Sequence, residues 1–148
     1  MRLVARVGDQ VRRMGAQTVL MSKVVASRFG LNTTDLECLD LIYLRGHASA
    51  GELAKATGLT SGAVTALIDR LERAGYVERT DDPTDRRRRE VRIKPDAVKP
   101  IQAVYAPMQA RMFELWSSYS TRDLELIADF IARSTEVAVA CTEALRAD

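Results

Sequence analysis

Residues 86–94, RRRREVRIK, set Arg86, Arg87, Arg88, Arg89, Arg92 and Lys94 against one acid, Glu90, in a chain whose overall charge is only +2. The positive charge is gathered into one short tongue. Guanidinium groups so concentrated suit a polyanion, because each one paired with a phosphate releases condensed counterions. An isolated charge run is ordinarily a solvated face. This one lies between two strand patterns and directly follows a patterned helix, which is the context of a nucleic-acid reader. Reactive chemistry lacks its parts. The chain has one histidine, His47, and none of the Gly-x-Ser-x-Gly, P-loop, Gly-x-Gly-x-x-Gly or His-Glu-x-x-His patterns, so an enzyme is not expected. Cys38 and Cys141 are far apart in sequence. With a single histidine they make neither a disulfide framework nor a zinc site, and no cofactor or metal is expected.

The elements that must carry the tongue can be read from periodicity. Val64, Leu67, Ile68 and Leu71 recur at helical spacing and turn one apolar stripe inward over residues 60–74, leaving Gly62, Thr65, Ala66, Asp69 and Arg73 facing out. Thr60 is placed to cap this helix. Ser61, Gly62, Thr65 and Ala66 then put little bulk between the first turns and a phosphate or base edge. Gly75 supplies the stop. Residues 77–80 and 89–94 alternate as strands about a turn of Asp81, Asp82, Pro83, Thr84 and Asp85, which predicts a hairpin. Upstream, Ser49 with Glu52 gives a capping box for a short helix ending at Gly58, and Thr34 with Glu37 gives another for the helix before it. A short helix, a turn with glycine and a second capped helix form a helix-turn-helix pattern.

The two ends of the chain are patterned differently. Val4, Val7, Val11, Met14, Thr18, Met21 and Val25 form a heptad seam closed by Gly30, and Leu124, Ile127, Ile131, Ser134, Ala138, Cys141 and Leu145 form a second, with Thr121 as its expected cap. Between them Pro95 and Pro100 can open a helix that Pro107 interrupts. These seams are wider than one small reader covers. The chain is therefore read as mainly α with a small β-hairpin wing: a winged helix-turn-helix at 31–94, and a helical dimerisation region at 1–30 and 95–148. A homodimer follows, whose twofold axis asks for a near-palindromic site in double-stranded DNA. Tyr43, Arg45 and His47 with Tyr105, Met108 and Met112 are candidate residues for a small effector at the junction of the two modules. No stretch of 18 apolar residues occurs, so no membrane span is expected, and the charged first residues do not read as a signal peptide; the cytoplasm is the expected location.

The segment GELAKATGLTSGAVTALIDRLERAGYVERTDDPTDRRRREVRI resembles the winged helix-turn-helix core of the MarR family of bacterial transcriptional regulators. The resemblance covers 34–94 in motif and the flanking helices in pattern. Its most specific feature is Asp85-Arg86-Arg87 after an Asp-Pro turn. On the residues alone any of Arg86 to Arg89 could enter a groove; the resemblance implies Arg87 in the minor groove, with alternation turning Arg86 and Arg88 toward phosphates. It also implies residues 60–74 as the recognition helix and Asp69 holding the wing through an arginine, where helical spacing alone would pair Asp69 with Arg73. Family members work as homodimers, commonly as repressors released by a small anionic aromatic ligand or an oxidant. The chain departs from the oxidant-sensing branch, lacking a cysteine near its start. The alternatives are a winged helix used as a protein-interaction module and a redox regulator acting through Cys38.

Overall fold

The computed structural model describes residues 1–81 and 89–147. They fall into two compact units, 1–102 and 103–148. The first contains α1 (Arg2–Arg28), α2 (Thr33–Arg45), β1 (Ala48–Ser49), α3 (Ala50–Thr57), α4 (Ser61–Arg73), β2 (Val77–Asp81), β3 (Arg89–Ile93) and the opening turns of α5 (Pro95–Ser117). The second contains the rest of α5 and α6 (Thr121–Ala147).

The core of the first unit is built where the helical stripes meet the sheet. Leu36, Cys38, Leu39 and Ile42 of α2, Leu53 of α3 and Val64, Leu67, Ile68 and Leu71 of α4 are buried with Val77 and Val91 of the strands, and Val98 and Ile101 of α5 complete it. The stripe expected on α4 is thus the face it buries. The sheet has the order β1-β3-β2 and is antiparallel throughout, with Val77 opposite Ile93 and Asp81 opposite Arg89 in the hairpin. The third strand is an addition to the expected hairpin: Ala48 and Ser49 pair with Val91 and Glu90, so the strand that carries the wing is bonded on both edges. Two residues carry no readable period.

Caps define the helix starts. Ser49 and Glu52 form the expected box, and Thr60 accepts from the backbone N–H of Ala63 at 3.3 Å. Two expected starts are corrected. The box of α2 is Asn32 with Asp35, not Thr34 with Glu37: the Asp35 N–H donates to Asn32 Oδ1 at 2.8 Å and the Asn32 N–H to Asp35 Oδ2 at 3.1 Å. Asn is at least as good a cap as Thr, and Asp35 at its N3 position is buried on other business as well. Likewise the cap of α6 is Ser120, whose Oγ accepts from the Asp123 N–H at 3.2 Å, and Thr121 is the first helical residue rather than the cap. Pro107 does not interrupt α5. The helix runs through it, at the cost of one i to i−4 bond. At the far end of α4, Gly75 has φ +83 and lets the Tyr76 N–H reach back to the Leu71 carbonyl at 3.0 Å, aiming the chain straight into β2.

Candidate nucleic-acid interface

Five residues singled out on α4, Ser61, Gly62, Thr65, Ala66 and Arg73, lie exposed on it, and Thr60, its cap, is exposed too. Thr65 donates its hydroxyl hydrogen to the Ser61 carbonyl at 2.9 Å. The residue is exposed and its hydroxyl keeps lone pairs, so it can meet a base donor or, with its methyl, a thymine methyl. Asp69 is half-buried and does not pair with Arg73. Its carboxylate accepts from Nη2 of Arg79 in β2, while Glu72 accepts from Nη1 of the same guanidinium and, at 3.2 Å, from the Arg79 N–H. One arginine thus ties two acids of α4 to the strand leading into the wing. These acids hold the Arg79 pKa above its ordinary value, the bond that Arg79 donates to Asp69 being the largest cause.

A second arginine works on the other flank. Arg70 directs Nε, at 3.3 Å, and Nη2 to the two oxygens of buried Asp35 in α2. At the root of the wing, the nearly buried Glu90 accepts from Arg92 at 3.2 Å and lies 3.1 Å from Nδ1 of His47. Arg86, Arg87 and Arg88 lie outside the described residues, and the described strands bracket them: β2 ends at Asp81 opposite Arg89 of β3. Arg70, Arg79, Glu72 and Asp35 went unassigned in the sequence. The only signal for them is a charged residue on the inner flank of an apolar stripe, and that becomes meaningful once its partner across the fold is known.

The effector candidates are divided. Tyr43, Arg45 and His47 belong to the first unit, and Tyr105, Met108 and Met112 to the second. Arg45 is 3.7 Å from Glu52, and His47 is engaged with Glu90. Within the first unit a cleft of about 340 Å³ is lined by Ile42, Tyr43, Gly46, Ile93, Pro95, Val98, Lys99 and Gln102, so of the six candidates Tyr43 alone reaches it. Cys38 is fully buried, and burial together with Asp35 and Glu37 pushes its thiol up to about 11. Among the described residues no cluster of His, Cys, Asp and Glu could hold a metal, and no helix is long and apolar enough to cross a membrane.

Known proteins resemble this chain over most of its length. An uncharacterised HTH-type transcriptional regulator of Bacillus subtilis, YcgE, is 40% identical over 126 residues, spanning 85% of this chain and 82% of its own. The HTH-type transcriptional regulator MhqR of the same organism is 26% identical over 72% of this chain and 73% of its own. Among solved structures, a MarR family protein from Bacillus stearothermophilus superposes with a TM-score of 0.69 at 20% identity, covering 93% of this chain and 96% of that one. A MepR variant from S. aureus reaches 0.72 at 18% identity, covering 89% and 96%, and both show the shared fold. Residues 29–88 match the MarR family model, and with these relatives the chain belongs to the MarR family of DNA-binding transcriptional regulators.

Proposed function

We propose that the protein is a homodimeric, cytoplasmic, sequence-specific repressor that reads a near-palindromic operator with α4 in the major groove and the arginine wing in the flanking minor groove. The observation that carries it is the pinning of α4's exposed, small-residue face to the root of a four-arginine hairpin through Arg79, Asp69 and Glu72. Such a coupling ties α4 to the strand at the root of the wing, so that helix and wing can act as one reader. Thr60, Ser61, Gly62, Thr65, Ala66 and Arg73 then face base edges and phosphates, Arg87 enters the narrow groove, and Arg86 and Arg88 anchor the backbone. Asp69 serves by holding Arg79. A protein-docking surface would present aromatic and apolar anchors where α4 offers Gly62, Thr65 and Ala66. A regulator acting through Cys38 would need a reachable thiolate, and burial opposes that.

Release by a small effector is supported by the cleft beside Tyr43, whose apolar wall suits an aromatic molecule and whose Lys99 ammonium, paired with exposed Asp96, would exchange that partner for an anionic group. Its occupancy would act by preferring a spacing of the two readers that DNA does not tolerate.

Fluorescence anisotropy on operator and scrambled duplexes tests the DNA reading. Arg87→Ala is expected to cost about 1–3 kcal/mol on the operator and to weaken preference for A·T-rich flanks. Arg88→Ala is expected to weaken both duplexes alike and to reduce the salt slope by about one per protomer. Equal effects of both variants on both duplexes would overturn the assignment of reader and anchor.

A further inference from the structure

Helix α4 is held on two flanks by arginine–carboxylate pairs, one with Arg79 of β2 and one from its own Arg70 to Asp35 of α2. Asp35 is 1% exposed and serves two elements at once. Its Oδ2 accepts from the Asn32 N–H at 3.1 Å and from Arg70 Nε at 3.3 Å, while Oδ1 accepts from Arg70 Nη2. The Arg70 side chain is 48% exposed, and its bonded edge is turned inward to the carboxylate.

A fork of two parallel N–H bonds on one carboxylate fixes direction as well as distance. The apolar contacts of Val64, Leu67, Ile68 and Leu71 are non-directional and tolerate some rotation of the helix about its axis. Base reading does not. A side-chain tip lies about 5–6 Å from the helix axis, so a rotation of about 10° displaces it by about 1 Å, enough to spoil a bidentate base contact. On the reading that α4 enters the groove, we infer that the Asp35–Arg70 pair is a positioning device: it sets the rotation of α4, and with it the base specificity of the protein, while Arg70 adds nothing to phosphate affinity. Asp35 also keeps neutralised an arginine that, if released, would attract any DNA sequence.

The test uses the full chain, a duplex selected from a random pool by the wild type, and its scrambled version, at several salt concentrations and at a temperature where each variant is folded by circular dichroism. Asp35→Asn, Arg70→Gln and Arg70→Lys are each expected to lower the ratio of selected to scrambled affinity by about tenfold, the loss of about one base contact. The salt slope of Arg70→Gln should match the wild type, and Asp35→Asn should bind the scrambled duplex as tightly or more tightly. Lysine keeps the charge but not the fork, so full rescue by Arg70→Lys would overturn the proposal. So would an equal loss on both duplexes in Arg70→Gln with the slope reduced by about 0.9 per protomer, which marks a phosphate contact. Unchanged discrimination with only a lower melting temperature would reduce the pair to a structural role and overturn it too. If Asp35→Asn does not fold, the two Arg70 variants decide. Thr65→Ala separates the underlying reading: if it leaves base preference unaltered, α4 is not the reader and the inference falls with it. If it shifts preference while the Asp35 and Arg70 variants do not, the positioning role alone is wrong.

Discussion

Arg79 shows why single residues were the least legible scale. Its sequence neighbourhood, VERTDD, reads as an ordinary strand with charges, and nothing local says that its guanidinium reaches back to Asp69 and Glu72 one helix earlier. The i,i+4 rule, the only local guide, would have given Asp69 to Arg73 instead. Cys38 is a different case. The sequence kept it as an alternative redox site with no activating cation beside it, and burial raises its pKa to about 11, so at pH 7 only about one molecule in ten thousand carries the thiolate that reacts. Cys141 is exposed in the single chain but lies on the α6 seam. A chromogenic disulfide reagent at neutral pH is therefore expected to titrate at most one thiol per chain quickly, and Cys38 only on addition of denaturant. Two rapid thiols in the folded protein would reopen a redox role for Cys38.

At the scale of elements, helix identity was legible and helix starts were not. The apolar stripe of α4 is read from four residues that must all face one way, whereas Asn32 and Thr34, or Ser120 and Thr121, are chemically equivalent caps within two positions. Choosing between them depends on where the buried face falls. Asp35 decides it for α2, because its carboxylate is needed by Arg70 as well as by the cap. The cap that was legible, Ser49 with Glu52, leads to a pH dependence. Hydrogen bonds from the Ser49 N–H and hydroxyl hold the Glu52 carboxyl below its ordinary value of 4.5, with Arg45 and His47 adding less. A depressed folded-state pKa contributes stability that is complete above about 4.5 and is lost as pH falls through the lower folded value. Glu52→Ala is expected to lower stability by about 0.5–1 kcal/mol at pH 7, a modest figure because the side chain is 51% exposed. The difference from the wild type should narrow as pH falls below about 4.5 in urea denaturation; a gap that stays constant on acidification would mean the cap does not act through the carboxylate.

For the whole molecule, the heptad seams stood out in the sequence, and the single chain leaves most of them exposed. Helix α1 is 27 residues long, yet only Val25 and Ala26 of it are buried, while Leu3, Val4, Met14, Leu20 and Val24 stay exposed. Most helical stability in proteins comes from packing an apolar face, so such a helix gains much from a partner. In the proposed homodimer a second copy would supply the matching seam, and a twofold pair would supply two readers. The consequence is measurable on DNA. If each protomer neutralises about four phosphates, a dimer should bind with a slope of log K against log salt near −7, and one reader alone with about half of that. Val4 is 76% exposed and Val11 40%, so charges there leave the core of the single chain intact. The double variant Val4→Glu, Val11→Glu is expected to run as a monomer by light scattering, to keep its circular dichroism in the reader, and to lose the affinity that comes from tethering two half-sites. Its slope should fall toward about −3.6. A double variant that remains a dimer with the full slope would remove α1 from the interface and leave the exposed apolar residues of α6, among them Leu126, Phe130 and Val137, to carry assembly.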